Sequence, residues 1–242
     1  MPTQSPTGIG GRPRLNPARV LEAALEIADK EGIEALTMRR LGKRLGVEAM
    51  SLYNHVAGKE GLLDGIVDLV IAEIELPPSG VSWDTAVRTC AVSAYRTMLR
   101  HPWSCQLVMH PPAGTARSSR MRYIESLLRT FTDAGFSPEL TYRAYHAIDS
   151  HVLGFSMWEV GHNVADVTPE LIEQMMALVS TGEYPYLLMH AQQHMSQDNQ
   201  ISDEFEFGLD LILQGLRRMH LAERRPLVRG KGAGDDRSTV RR

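Results

Sequence analysis

Residues 36–56 predict two short helices that meet in a turn at Gly46. Thr37 is a good N-cap for the first helix, and Gly46 can close it by adopting a left-handed conformation. The second segment carries Leu52 and Val56 at helical spacing. Because a glycine turn lets the second short helix cross the first steeply, this stretch predicts a helix-turn-helix.

A further helix is predicted on each side of this pair. Before it, Asn16 is a good N-cap with Pro17 at the first helical position, and Gly32 ends the helix. After it, a fourth helix is expected from about Lys59 to Ile74. The apolar side chains of the two short segments can then face one small core, with the flanking helices behind them: Leu41, Leu45, Val47, Leu52 and Val56.

The outward side of the second short segment carries small and polar residues and no acidic one. Its members are Ala49, Met50, Ser51, Tyr53, Asn54 and His55. In a helix-turn-helix the N-terminal part of the second helix enters the major groove of DNA, where such side chains reach the base edges. Lys59, at the start of the fourth helix, can hold a phosphate. The alternative is a charged surface that is merely hydrated; the short helices and the glycine turn favour DNA binding.

Net charge divides the chain into three parts. Residues 1–59 contain 9 Lys and Arg against 6 Asp and Glu, residues 60–221 contain 10 against 20, and residues 222–242 contain 7 against 3. The formal net charge of the whole chain is −3. A small basic module on an acidic body is expected of a protein that meets a polyanion through one end only.

The remainder of the chain predicts helices and no strands, so the fold class is all-α. Cap residues followed by helical periodicity predict helices from Ser82 to about Arg100, from about Arg117 to Ala134, from Ser137 to about Gly161 and from Ser202 to about Leu221, with another beginning at Thr168. Residues 1–14 are rich in Gly, Pro, Ser and Thr and are predicted to be a disordered arm. Residues 223–242 are predicted to be a disordered basic tail.

Composition is typical of a globular protein, with 43% hydrophobic and 23% charged residues. No run of 18 apolar residues occurs, and the polar N-terminus lacks a signal-peptide core, so a cytoplasmic location is expected. The two cysteines, Cys90 and Cys105, are too few for a disulfide framework. We expect two reduced core thiols; a redox-active pair is the alternative.

The stretch Gly32–Asp64, GIEALTMRRLGKRLGVEAMSLYNHVAGKEGLLD, resembles the DNA-binding domain of the tetracycline-repressor family of transcriptional regulators. That family shares the pattern G-x-x-x-L-T-x-R-x-L-A-x-x-L-G-V-x-x-x-x-L-Y-x-H-V-x-x-K-x-x-L-L. This chain has Gly42 where the family usually has Ala, which costs a helix about 1 kcal/mol, and Met50 where a Pro often begins the recognition helix. The resemblance implies a helix-turn-helix domain over residues 15–76, with DNA contacts from Thr37, Arg39, Met50, Ser51, Tyr53, Asn54, His55 and Lys59. Arg39 is expected to read a guanine through two hydrogen bonds.

Residues 77–222 resemble the ligand-binding and dimerisation domain of the same family more thinly. Ile201–Met219 is similar to the last helix of that domain and Gly135–Glu159 to its long antiparallel partner. The last helix has one apolar side formed by Phe205, Leu209, Ile212, Leu216 and Met219, and another that contains Gly208, Leu211 and Gly215. With Ala144, Ile148, Val152 and Phe155, these faces predict a four-helix bundle shared by two subunits, so that a homodimer reads a palindromic operator. The alternative is a core wholly within one chain.

A helical body of this kind predicts an effector cavity between its helices. The candidate ligand-binding residues are Trp103, Met109, His110, Tyr142, His151, Trp158 and Glu159, although such residues more often belong to an ordinary core. The positions where tetracycline-binding members keep a polar amide, a Phe and a metal-binding His fall here on Cys90, Ala94 and about Val108. We therefore expect a largely apolar effector other than tetracycline, no cofactor and no metal.

The resemblance implies a dimeric transcriptional repressor that binds double-stranded DNA and is released from its operator by a small molecule. The alternative is a constitutive or partner-controlled regulator without a small-molecule ligand. Catalysis is not expected. His151 with Asp149, and His162 with Glu159, are neighbours on one predicted helix and do not face each other, and no nucleotide-binding, hydrolase or metalloprotease motif occurs. A helix bundle that binds only proteins would leave residues 36–56 unexplained.

Overall fold

The computed structural model describes residues 15–109, 118–162, 168–196 and 201–224. Within these ranges all regular structure is helical, so the all-α prediction is confirmed. The helices are α1 (Pro17–Glu31), α2 (Met38–Leu45), α3 (Ala49–Leu52), α4 (Gly58–Ala72), α5 (Trp83–Arg100), α6 (Ser104–Leu107), α7 (Ser119–Asp133), α8 (Pro138–His162), α9 (Pro169–Val179), α10 (Pro185–Ser196) and α11 (Ile201–Glu223), with a short 3-10 helix at Ile33–Ala35. The predicted arm at 1–14 and almost all of the predicted tail at 223–242 lie outside the described residues.

The predicted cap residues begin and end the first two helices. The Asn16 side chain accepts a hydrogen bond from the Arg19 amide at 2.9 Å, and the Thr37 hydroxyl accepts one from the Arg40 amide at 3.1 Å. Gly46 closes α2 in a left-handed conformation with φ 70° and ψ 36°, which only glycine adopts readily. The α2 end and the turn therefore lie where the sequence predicted them.

Two details of the helix prediction need correction. The second short helix was expected to reach Val56, but α3 ends at Leu52 and Val56 lies in the following turn, because the chain must reverse through Gly58 at φ 72° to begin α4. The sequence also gave no sign of α6, a single turn after Pro102, or of α10, which begins at Pro185.

The buried side chains form two hydrophobic clusters, and α4 contributes to both. The first cluster joins α1 to α4 and contains Val20, Ala23, Ala24, Ile27, Ala28, Leu36, Leu41, Leu52, Leu62 and Ile66. The second begins with Val67 in the same helix and continues through α5, α7, α8 and α11. A movement of α4 would therefore change the packing of both hydrophobic clusters.

The crossing of α8 and α11 corrects part of the dimer argument. Ala144, Ile148 and Val152 are 0–2% exposed in the core of their own chain, so they cannot contact a second subunit. Gly208 also faces inward, since a Cβ atom there would lie 2.5 Å from Cε1 of His151. Met219, predicted on the same apolar side of α11 as the buried Phe205 and Leu209, is 54% exposed in the single chain. No helix of the described ranges has the length and apolarity needed to span a bilayer.

Candidate DNA-binding surface and effector cavity

The helix-turn-helix exposes the side of α3 that the sequence predicted to read DNA. Leu52 is fully buried and fixes the inner side of α3, whereas Met50 is 75% exposed and Tyr53 is 51% exposed on the outer side. Asn54 is exposed as well. The remaining candidates on this segment, Ala49, Ser51 and His55, are half-buried. The surface therefore exposes Met50, Tyr53 and Asn54 and leaves the other three candidates partly covered.

Gly42 allows α2 and α3 to approach closely at the turn. Its position is buried, and a Cβ atom there would lie 2.8 Å from the Val47 carbonyl oxygen and 3.2 Å from the Ala49 amide nitrogen. Both of these atoms belong to the backbone, so an alanine would have to push α3 away from α2. The glycine thus does more than lower helix propensity, which is all that the sequence indicated.

The cations of α2 divide into two groups. Arg40 pairs with Glu31, and Arg44 pairs with Glu26, so these two arginines hold α2 against α1. Arg39 is exposed and forms no ion pair among the described residues. Arg40 and Arg44 are therefore engaged by α1, whereas Arg39 remains available to contact DNA.

The beginning of α4 offers a place for a phosphate. Lys59 is exposed at the second residue of the helix. Ala57, which precedes the helix, provides no side-chain cap for the first amides. Because uncapped amides at a helix N-terminus attract anions, the ammonium of Lys59 and the backbone act together there. Thr37 is exposed too, although its hydroxyl already caps α2.

The body contains a cavity of about 260 Å³ between α4, α5, α7 and α8, which Val108 and Met109, just after α6, also line. This volume is slightly below the range of about 300–1,000 Å³ that is usual for ligand sites. Its walls are mostly apolar and consist of Ile71, Ile74, Ala94, Met98, Val108, Met109, Ile124, Val152 and Leu153, with Arg120, Tyr123, Tyr145 and Asp149 along one edge.

The polar edge of the cavity is built by α7 and α8. Tyr145 donates a hydrogen bond to Asp149 at 3.4 Å, and Arg120 donates one to the Val108 carbonyl oxygen at 2.6 Å. Burial raises the pKa of Asp149, against the opposing effect of its hydrogen bond with Tyr145. Burial also raises the pKa of Tyr145 to about 12 and that of the buried Tyr123 well above its ordinary value. The edge thus holds a partly dehydrated carboxylate beside neutral phenols.

The predicted ligand residues do not all meet in this cavity. Met109 lines it, and His110 lies outside the described residues. Trp103 instead donates from its indole nitrogen to Asp29 at 2.7 Å, near the first domain. Tyr142 is 64% exposed, because it lies on the outer side of α8.

The other three predicted ligand residues lie toward α11 or on the outer end of α8. Nε2 of His151 is 2.9 Å from the Phe205 carbonyl oxygen, and the His151 ring stacks on that of Phe205. Trp158 is 43% exposed, and Glu159 accepts a hydrogen bond from the Tyr95 hydroxyl. None of these residues lines the cavity between α7 and α8.

The sequence missed the four polar residues of the cavity edge. Tyr145 and Asp149 are one helical turn apart on α8, beside the buried positions Ala144 and Ile148. Polar residues at that spacing next to a buried stripe were the signal that could have identified them. Among the described residues no group of three His, Cys, Asp or Glu is arranged to hold a metal ion.

A hydrogen-bonded junction connects the two hydrophobic clusters beside α4. His101 is only 7% exposed, with Nδ1 2.7 Å from Asp29 on α1 and Nε2 3.3 Å from Glu73 at the end of α4. Arg100 also donates to Glu73 at 2.8 Å. Burial opposes ionisation of Glu73, but the hydrogen bonds from Arg100 and His101 outweigh it and lower the pKa of Glu73. The junction therefore joins α1, α4 and the end of α5.

Comparison with protein families gives two matches that together span most of the chain. Residues 20–66 match the model described as bacterial regulatory proteins, tetR family. Residues 76–220 match the model described as tetracyclin repressor-like, C-terminal domain. The two matches are separated by residues 67–75, which include the second half of α4, where the first hydrophobic cluster gives way to the second.

Named relatives and solved structures agree with these matches. The chain is 31% identical over 227 residues to the HTH-type transcriptional repressor DrrR1 of Streptomyces coeruleorubidus, covering 89% of this chain and 82% of that protein. It is 32% identical over 207 residues to the tetracycline repressor protein class D of Escherichia coli, covering 84% and 89%. The Streptomyces coelicolor TetR family protein ActR in complex with actinorhodin matches the fold with a TM-score of 0.72 and 27% identity, over 86% of this chain and 99% of that one.

Proposed function

The chain belongs to the tetR family of bacterial regulatory proteins, and we propose that it is a dimeric repressor that binds a palindromic operator and leaves it when a small molecule fills the cavity. The residues that touch DNA are Thr37, Arg39, Ala49, Met50, Ser51, Tyr53, Asn54, His55 and Lys59. Its place of action is the cytoplasm, where the DNA is. The relatives are transcriptional regulators, and we assign no catalytic activity.

One observation carries the DNA-binding assignment. Met50 on α3 and Tyr53 directly after it are exposed, whereas Leu52 between them is fully buried. Arg39 extends from α2 without an ion pair among the described residues, and Lys59 begins α4 nearby in the sequence. A protruding helix flanked by cations has the form that enters a major groove, with base contacts in the centre and phosphate contacts at the sides.

Exposed apolar side chains support a homodimer. Phe207 and Leu211 on α11 are 62% and 57% exposed and lie one turn apart, away from the core of their own chain. Gly215 continues this side of the helix with open space next to it. Exposed apolar stripes on a monomer mark surfaces that a partner covers. We propose that this side of α11, with the outer side of α8, forms the four-helix bundle between subunits.

The hairpin of α9 and α10 belongs to the same proposed interface. These two helices pack on each other. They carry several exposed apolar residues: Leu171, Ile172, Met175, Leu178, Tyr184, Tyr186, Leu187 and Met189. Contact with the second subunit would remove much of this surface from water, at a gain of roughly 25 cal/mol per Å².

The position of the cavity explains how a ligand would act on DNA binding. Ile71 and Ile74 line it at the end of α4, and the other half of α4 packs in the core of the helix-turn-helix. A ligand that displaces these two side chains moves α4, and with it the orientation of α3. Binding then favours a dimer whose two recognition helices no longer match successive turns of DNA. Because one similar protein is a tetracycline repressor and another, ActR, has been solved with actinorhodin, a ring-bearing compound with a largely apolar body is the class to test.

Selection of bound fragments from random duplexes by the purified full-length protein tests this function. We expect enrichment of a palindrome, and a dissociation constant for it about a thousandfold or more below that for random duplex at the same salt concentration. Ligand control is then tested by titrating ring-bearing compounds against the protein–operator complex in fluorescence anisotropy. Equal affinity for all sequences contradicts the proposal. An operator complex that no cavity-filling compound dissociates supports the alternative, a constitutive or partner-controlled regulator.

A further inference from the structure

We propose that the effector carries a protonated amino group, and that Asp149 binds this group at the polar edge of the cavity. The inference rests on the proposed function, because it takes the cavity between α7 and α8 as the effector site. It adds the chemical class of the ligand: an amphipathic amine whose ring system lies against the apolar walls.

Asp149 is an acidic residue in largely apolar surroundings. Nine of the residues that line the cavity are apolar, and Asp149 lies among them at one edge. The carboxylate receives a hydrogen bond of 3.4 Å from Tyr145, which is long for a bond to a charged oxygen. Asp149 is half-buried, and no cation of the described residues lies within ion-pair distance of its carboxylate, so its charge is only partly compensated. A ligand cation is the component that would complete the site.

Four groups that already face Asp149 favour its ionised form. They are Tyr145 and His146 from α8 and Tyr123 and Arg120 from α7. Burial nevertheless outweighs them and leaves the pKa of Asp149 raised. Arg120 directs one guanidinium nitrogen to the Val108 carbonyl oxygen at 2.6 Å. The neighbours of Asp149 therefore compensate only part of its charge.

The carboxylate of Asp149 should distinguish three kinds of ligand by the charge of the group placed next to it. An ammonium group next to Asp149 forms a charge-assisted hydrogen bond and compensates the negative charge of the carboxylate. A neutral hydroxyl in the same place gains only a hydrogen bond. A ligand carboxylate brings a like charge close to Asp149 and is repelled, unless Arg120 dominates the site.

Binding of three matched naphthyl compounds to the full-length protein tests the proposal. The probes are naphthylethylamine, naphthylethanol and naphthylacetate, measured by isothermal titration calorimetry without DNA. The wild-type protein should bind the amine about tenfold or more tightly than the alcohol, because a hydrogen bond between charged groups is worth about 1.4 kcal/mol more than a neutral one. The acetate should bind most weakly.

Two variants assign the preference to Asp149. Asp149→Asn keeps the shape of the side chain and should reduce the preference for the amine over the alcohol to about onefold or twofold, within the scatter expected of neutral pairs. Glu139→Gln removes an exposed carboxylate from the same helix, outside the cavity, and should leave the preference unchanged. Because Asp149 must be ionised, the preference should also fall as the pH is lowered through the raised pKa of that group.

Each remaining outcome contradicts the proposal. Equal binding of amine and alcohol, tighter binding of the acetate, binding of none of the probes, or an unchanged preference in Asp149→Asn would each overturn it. Operator selection and anisotropy do not use these probes. A protein that binds a palindrome but shows no amine preference therefore retains the proposed function and loses only this inference.

Discussion

The carboxylate of Asp29 accepts from two residues of the body at once, with Oδ1 2.7 Å from Nδ1 of His101 and 2.7 Å from Nε1 of Trp103. Asp29 belongs to α1, whereas the other two lie in the chain that follows α5. His101 reaches Glu73 with its second nitrogen, so one imidazole ring links the DNA-binding domain, the end of α4 and the body. Polar contacts as well as α4 therefore join the two hydrophobic clusters.

Replacement of Asp29 should weaken this junction. In Asp29→Ala the nearly buried His101 loses its Nδ1 partner and Trp103 loses its acceptor, and we expect the free energy of unfolding to fall by about 1–3 kcal/mol. Urea denaturation at a fixed protein concentration measures the change. Asp133→Ala, at the exposed C-terminal end of α7, is the matched control and should stay within about 0.5 kcal/mol of the wild type. Equal stability of the two variants would contradict the structural role of the junction.

Arg39→Ala tests base reading. The exposed guanidinium of Arg39 is not engaged by an acid among the described residues, so its loss should weaken operator binding by about 1–3 kcal/mol and relax the preference at one base pair. Anisotropy on the selected operator and on single-base variants measures both effects. Arg40→Ala, which removes an arginine engaged with Glu31, should not relax the preference at any base. A loss that is equal on operator and random duplex would show that Arg39 contacts only phosphate.

Lys59→Ala tests the phosphate contact at the start of α4. Affinity should fall by a similar factor for operator and random duplex, and the slope of log affinity against log salt concentration should become shallower by about 1. The control is Lys30→Ala, because Lys30 lies at the end of α1 near Glu26 and away from the proposed groove contacts. If the slope of the Lys59 variant matches that of the wild type, this ammonium does not contact DNA.

Leu211→Glu tests the subunit interface. A glutamate on the exposed stripe of α11 would be buried without a partner in the proposed bundle, so the dimer dissociation constant should rise about a hundredfold or more. Sedimentation at micromolar concentration should show the wild type near twice the chain mass of 27.0 kDa and the variant near that mass. Met121→Glu changes an exposed methionine on α7, outside the stripe, and should remain a dimer.

Most of the fold could be predicted because the residues at each helix end determine where the helix begins and ends. Asn16 and Thr37 form the expected cap hydrogen bonds, and Gly46 adopts the left-handed conformation that ends α2. The single turn of α6 could not be found in this way, because four residues contain too little of the helical period. Gly42 is a further limit: its close approach to Val47 depends on how two helices cross, which no single-helix pattern reveals.

The candidate sites differ in the same respect. The residues proposed to face DNA could be predicted from Leu52, because the side of α3 opposite to this buried residue must face outward. The cavity residues depend on which sides of α7 and α8 meet. Tyr145 and Asp149 line the cavity, whereas Tyr142 on the same helix is 64% exposed. Choosing between these positions requires the packing of several helices, and the sequence of α8 alone does not supply it.

The two thiols provide the last test, which concerns reactivity. Cys90 and Cys105 are both buried and free, and burial raises the pKa of Cys90 to about 12 and raises that of Cys105 as well. A thiol reacts through its thiolate, so at neutral pH both should resist Ellman's reagent in the folded protein and react rapidly in guanidinium. Absorbance of the released thionitrobenzoate measures both rates. Rapid reaction of either thiol in the folded state would instead favour the redox-active pair that the sequence left open.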